Sequence, residues 1–166
     1  STENTLTVSN VTESMTLTAN FAINTYTLTY NAGAHGSITG TTPQTVNHGS
    51  DGTSVEAVPE TGYDFAQWSD GSTENPRTDT NVTDHITVTA SFEINQYTIN
   101  FQTDGTTGAS LDGATSQTVS HGDDCTTVTA VPPSGMIFIS WMESGADFST
   151  DNPLQLLDIT KDMTLI

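Results

Sequence analysis

Tyr26-Thr27-Leu28-Thr29-Tyr30 and Tyr97-Thr98-Ile99-Asn100-Phe101 are two versions of one stretch, 71 residues apart. Each alternates an apolar or aromatic residue with a polar one, the period-two pattern that turns one row of side chains inward and the other toward water in a β-strand. The match continues outward from there. Gln44-Thr45-Val46-Asn47-His48-Gly49 is answered by Gln117-Thr118-Val119-Ser120-His121-Gly122, Ala57-Val58-Pro59 by Ala130-Val131-Pro132, and Phe65 and Trp68 by Phe138 and Trp141. Thr16-Leu17-Thr18-Ala19-Asn20-Phe21 pairs in the same way with Thr87-Val88-Thr89-Ala90-Ser91-Phe92. A third landmark occurs three times, as Ser1-Thr2-Glu3-Asn4, Ser72-Thr73-Glu74-Asn75 and Ser149-Thr150-Asp151-Asn152. A fixed period of this size identifies a tandem-repeat architecture.

The repeat divides the chain into residues 1–25, the closing segment of a preceding repeat, residues 26–95, a complete repeat, and residues 96–166, a second repeat cut short at its last strand. The offset steps from 71 to 73 between Gly33 and Gln44 and from 73 to 77 after Trp68, which places both insertions in loops, where extra residues disturb no core. Tyr26–Tyr30, Ser54–Val58 and Ile86–Phe92 carry strand chemistry, and no window shows a helical period of apolar residues. Pro59-Glu60-Thr61-Gly62 and Pro132-Pro133-Ser134-Gly135 read as turns, with proline presetting φ and glycine taking the left-handed position. A hairpin joining the Val55 strand to the Phe65 strand is expected. Trp68 stands three positions after Phe65, the wrong parity for a regular strand, so either a bulge intervenes or both faces are covered. Phe65, Trp68, Phe138 and Trp141 are the expected core anchors of their units.

Composition narrows the function classes. Two Lys+Arg against 20 Asp+Glu give a formal charge of -18, which repels nucleic acid and anionic membranes. An apolar share of 33% suits several small cores better than one large core. No apolar run is long enough to span a membrane, so neither nucleic-acid binding nor membrane insertion is expected. Cys125 is the single cysteine and its counterpart is Gly52, so no disulfide framework exists, and it reads as a small residue tolerated in a loop.

The Tyr-Thr-Leu-Thr-Tyr strand, the Gln-Thr-Val-Asn-His-Gly segment, the Gly-Tyr-x-Phe-x-x-Trp segment and the closing Thr-Val-Thr-Ala-x-Phe resemble the divergent internalin-type B-repeat. The resemblance covers essentially the whole chain. It implies small, antiparallel, β-grasp-like modules set end to end in a bacterial surface-anchored or secreted protein, with a spacer or adhesive role and no catalytic residues. Neighbouring repeats are the expected partners, with a host or cell-surface glycan or protein as a further one. Two rival readings are a glycan- or protein-binding module acting through exposed loops such as Met142–Phe148, and an accessory domain of a secreted enzyme.

Candidate chemistry is sparse. His48 and His121 recur beside a glycine and read as turn residues bonded to local backbone rather than as ligands; His35 and His85 have no histidine counterpart and read as surface residues. No Ser/His/Asp set or zinc-spaced cluster recurs, so no cofactor is expected. Calcium is the chemical alternative, with Asp51, Asp70, Asp123 and Asp124 as candidate ligands, although no loop has the spacing of a calcium-binding loop. Asn10-Val11-Thr12 and Asn81-Val82-Thr83 fit the glycosylation sequon. By alignment Ile166 corresponds to Thr89, and Met15–Phe21 is expected either to pack on the 26–95 unit or to add a strand to another molecule.

Overall fold

The structure is a computed structural model and describes residues 5–166, so the Ser1–Asn4 copy of the landmark lies outside it. Among the described residues all regular structure is β, divided between two units with separate apolar cores. The first unit contains β1 (Thr25–Ala32), β2 (Gly36–Thr39), β3 (Gln44–Asn47), β4 (Glu56–Pro59), β5 (Tyr63–Trp68) and β6 (Ile86–Ile94). These form a sheet ordered β3-β1-β6-β5 and a separate β2–β4 ribbon. The second unit contains β7 (Gln96–Phe101), β8 (Ser110–Asp112), β9 (Ser116–Ser120), β10 (Thr129–Val131), β11 (Trp141–Glu143), β12 (Ala146–Ser149) and β13 (Met163–Leu165). Its main sheet runs β12-β11-β13-β7-β9, with a β8–β10 ribbon.

The all-β tandem modules match the repeat pattern, but they are mixed rather than purely antiparallel. β1 and β6 run parallel, with Leu28 beside Ile86 and Tyr30 beside Val88. β7 and β13 do the same, with Ile99 beside Met163 and Phe101 beside Leu165. A parallel pair requires a long crossover, and the whole of β2 to β5 supplies it. Leu28, Tyr30, Ile99 and Phe101 are all buried because alternation puts them on the face of these central strands that meets the apolar core.

The expected hairpin between the Val55 and Phe65 segments does not form. Its turn does: Gly62 has φ 83° and the Tyr63 N–H donates to the Glu60 carbonyl at 3.1 Å. The turn nevertheless sends the chain from one sheet to another, because β4 pairs with β2 and β5 pairs with β6. Proline and glycine set the turn, whereas the strand partners on either side follow from the core each face must cover. The parity of Phe65 and Trp68 resolves as a register shift between Phe65 and Gln67 in the β5–β6 pair.

Trp68 and Trp141 lie at the centre of their cores at 0% and 1% exposure. Tyr30 and Phe65 pack on Trp68 at ring separations of 5.9 and 5.7 Å; Phe101 and Phe138 pack on Trp141, each at 5.6 Å. The recurring Ser-Thr-Glu/Asp-Asn landmark serves these tryptophans. The Trp68 indole N–H donates to the Glu74 carbonyl at 2.9 Å, and that of Trp141 to the Asp151 carbonyl at 3.1 Å. The next residue, Asn75, uses its side-chain amide as a strand rung, accepting from the Ala57 N–H and donating to the Ala57 carbonyl, both at 2.8 Å. Asn152 does the same with Ala130. Gln44 and Gln117 likewise recur because each ties the segment before its strand to the loop after it, Gln44 joining Thr41 to Thr53 and Gln117 joining Ala114 to Thr126.

The units differ in more than the two insertions that the offset steps mark. The first insertion enlarges the connection between β7 and β8, but the second is no loop. It folds into the β11–β12 hairpin, turning at Ser144-Gly145, and adds an outer strand to the sheet. Residues 136–140 also form no strand where the first unit has β5, and Ile137 and Ile139 are exposed. In the first unit Phe92–Ile94 pair with the start of β5, a contact that residues 136–140 do not make. Met15–Phe21 does not pack on the 26–95 unit, since Met15, Leu17 and Phe21 are exposed and unpaired. The unit's own β6 already occupies the place beside β1 and β5.

Replacing Trp68 with alanine should destabilise the first unit by about 3 to 5 kcal/mol, the usual cost of emptying a buried aromatic site. The remaining Trp141 then reports the second unit by fluorescence while circular dichroism follows both. A loss under about 1 kcal/mol in denaturant titration would show that the indole is not what holds the core.

Candidate functional site

The two units meet without a linker: β6 ends at Ile94, β7 starts at Gln96, and Asn95 alone stands between them. Its N–H donates to the Gly62 carbonyl of the first unit at 2.8 Å, and its carbonyl accepts the His121 N–H of the second, also at 2.8 Å. The His121 ring packs directly on Gly62, where a Cβ would fall 2.2 Å from the imidazole. Glycine is therefore required twice at this position, for its left-handed φ and for the close approach. On its other side the His121 ring lies near Tyr97, with Nδ1 3.4 Å from the hydroxyl.

His48 and His121 do sit at turns, as the sequence suggests, but their rings face a tyrosine hydroxyl rather than local backbone. His48 Nδ1 is 3.2 Å from the Tyr26 hydroxyl. His85, expected at the surface without a task, accepts the Thr27 N–H through Nδ1 at 2.9 Å, and its ring meets Tyr26 edge-on. Asp162 performs the same backbone capping for Thr98. An imidazole nitrogen and a carboxylate oxygen are both acceptors, which is why unlike residues share the position. His35 stacks on Tyr63 at 4.2 Å.

The acidic candidates lie apart, and no three His, Cys, Asp or Glu side chains converge among the described residues. Asp51 accepts the Asn81 N–H at 2.7 Å, and its counterpart Asp124 accepts the Asp158 N–H at 3.0 Å. Asn81 and Asp158 both have left-handed backbone, with φ 49° and 53°, so each carboxylate fastens a strained turn. Asp123 is exposed beside it. Asp70 accepts the Ser72 N–H at 3.1 Å and lies 2.8 Å from Arg77 Nη1, an ion pair set off a good hydrogen-bond axis.

Arg77 centres a polar cluster that sequence comparison did not single out. It is buried, its guanidinium sits 5.5 Å from the Trp68 ring centre, and Nε and Nη2 donate to the two Asp79 oxygens at 2.9 and 2.7 Å. The Tyr30 hydroxyl also donates to Asp79, at 2.7 Å. The hydrogen bonds from Arg77 hold the Asp79 carboxyl below its ordinary value against the opposing effect of burial, with Tyr30 adding to them. Burial, followed by the Asp79 contact, pushes the Tyr30 phenol up. In the second unit Tyr30, Arg77 and Asp79 are replaced by Phe101, Leu154 and Leu156, all buried, so the same space is filled by apolar side chains. Cys125 is also a core residue and not a loosely tolerated one: it is buried, and burial raises its thiol, with the Asp124 charge adding to the effect.

The comparisons decide what kind of module this is. The family model described as the divergent InlB B-repeat domain matches twice, over residues 26–96 and 97–162. The chain belongs to the divergent InlB B-repeat family. No curated protein and no solved structure matches it. The B-repeat family is a repeat module of bacterial surface proteins rather than a known enzyme family. The two matched spans meet at Gln96 and Tyr97, beside the Asn95 joint.

Two outcomes follow for the B-repeats. The Asp79 contribution is complete above the ordinary carboxylate value of 3.8 and declines as pH falls through the lower folded value, because the unfolded chain takes up the proton first. Acid titration followed by thermal melting should therefore weaken the first unit below about pH 4, and Asp79→Asn should flatten that dependence while leaving the second unit's profile unchanged. His121→Ala should loosen the joint, so that nitrogen-15 relaxation gives separate tumbling for the units while each changes in stability by under about 1 kcal/mol. Unchanged common tumbling would mean that the ring does not hold the joint.

Proposed function

We propose that these repeats form an extracellular structural spacer, a stalk that carries another part of a bacterial surface or secreted protein away from its anchor. The observation that supports this most is the Asn95 joint: one residue bonds to both units and no flexible linker separates them. Repeats with their own cores and direct neighbour contacts extend by addition, each new unit contributing its own stability and one interface. The acidic surface suits such a role, since like charge discourages lateral association of stalks while salt screens it over about 10 Å. No side-chain arrangement described above performs catalysis in this reading.

A second reading, recognition of a protein or glycan, is favoured by one feature. The β11–β12 hairpin exists only in the second unit and exposes Met142 and Phe148. Saturable binding lost on Phe148→Ser would support it.

Small-angle scattering tests the spacer. A chain lengthened by whole repeats should gain a constant increment in maximum dimension per repeat, at both low and physiological salt. A dimension that rises only with the weaker dependence of a flexible chain, roughly as the square root of length, would overturn the reading.

A further inference from the structure

The two tyrosine–histidine pairs are built alike but do not have the same surroundings. Asn24 accepts the His48 N–H at 2.8 Å, as Asn95 accepts that of His121 at 2.8 Å. Ring separations are 5.8 Å for Tyr26–His48 and 6.0 Å for Tyr97–His121, with similar tilts of 49° and 51°. Yet His121 is half-buried and His48 is exposed. The difference is the Gly62 turn, which packs on His121 and has no equivalent against His48 among the described residues.

The opposite side of the contact shows the same relation. Gly135 has φ 84° where Gly62 has 83°, and the Met136 N–H donates to the Pro133 carbonyl at 3.1 Å, reproducing the Tyr63 to Glu60 bond. The Pro132–Gly135 turn is thus already in the docked conformation, but Gly135 is exposed and no atom lies within 4 Å of where its Cβ would be.

We propose that the face formed by Asn24, Tyr26 and His48 is a socket for the Pro-x-x-Gly turn of another B-repeat, and that Pro132–Gly135 is the matching plug for the socket of a further one. The partner is identified by the contact already made once within this chain. It must present a glycine at the turn, because any side chain there would occupy the imidazole's position. It must also offer a free carbonyl at that glycine to accept the N–H of the asparagine before the next β-strand, as Gly62 does for Asn95. Both halves are preformed, so docking orders little that is not already ordered. The proposal deepens the spacer reading and rests on it: a stalk with this joint has its rotation from one repeat to the next set by a single stereochemical contact.

Histidine reactivity with diethyl pyrocarbonate, read on peptic peptides by mass spectrometry, tests the socket. In the 166-residue chain His48 should react several-fold faster than His121. A lengthened chain then receives a copy of residues 26–96 between Thr25 and Tyr26, the copy carrying Thr45→Ser so that its own His48 peptide is separated by mass. The original His48 should slow to the rate of His121, while His48 of the inserted copy remains fast. An original His48 that stays fast overturns the socket. A second chain, with a copy of residues 90–166 appended after Ile166, tests the plug independently: His121 of the appended copy should be as slow as the original, and a fast rate overturns the plug. Scattering on the same chains separates the two readings. Fast histidines with a constant increment per repeat reject the docking contact and keep the spacer, whereas slow histidines without that increment reject the spacer and keep the contact.

Discussion

Each unit depends on one indole. Trp68 and Trp141 fill their cores with the ring and bind the landmark loop with the N–H, so the same side chain joins the apolar interior to the segment that closes over it. The next consequence is geometric. With the loop held, Asn75 and Asn152 lie beside β4 and β10 and complete hydrogen bonds that a neighbouring strand would otherwise supply. A buried N–H or carbonyl left without a partner costs about 1 to 3 kcal/mol, so an asparagine side chain at this point substitutes for a missing strand. This is why a polar tetrapeptide recurs as faithfully as the core itself.

The two cores solve one packing problem with different chemistry. The first sets the buried Arg77, the half-buried Asp79 and the Tyr30 hydroxyl as a hydrogen-bonded cluster against Trp68; the second fills the same space with Leu154, Leu156 and Phe101. A buried ion pair offsets its own desolvation only when its geometry is good, and apolar replacements of similar volume are often as stable or more so. What the polar version adds is dependence on pH and on each member being present. Gly52 and Cys125 form a similar exchange. A Cβ on Gly52 would fall 2.6 Å from Leu28 Cδ1, whereas in the second unit Ile99 stands in the place of Leu28 and the thiol is accommodated. Residues that differ between repeats are therefore coupled in pairs and triads rather than free to vary singly.

The joint resolves a conflict between charge and contact. A chain with 20 acidic and two basic side chains has repulsion between successive units, and no salt bridge spans the joint among the described residues. The units are held instead by backbone hydrogen bonds at Asn95 and by an imidazole packed on bare glycine. Such contacts act over a few ångströms and depend little on salt, while the screened charges act between separate chains. Short-range attraction along the array and longer-range repulsion around it are compatible because they operate at different distances.

Local pattern was enough to establish the period, the strands carrying Tyr26–Tyr30 and Ile86–Phe92, the left-handed glycines at 62 and 135, and the importance of the aromatic positions. Alternation and turn chemistry are properties of neighbouring residues and survive in one dimension. Which strand pairs with which is not such a property. The parallel union of β1 with β6 and the separation of β4 from β5 into different sheets both follow from backbone partners distant in sequence. The same holds for the joint. His121 was visible as a repeated histidine beside a glycine, but its contact with Gly62 lies 59 residues away along the chain and exists only once both units are folded. Composition and periodicity thus determine that this chain is an acidic array of small β-modules, whereas tertiary packing alone decides how each module closes and how one module is set upon the next.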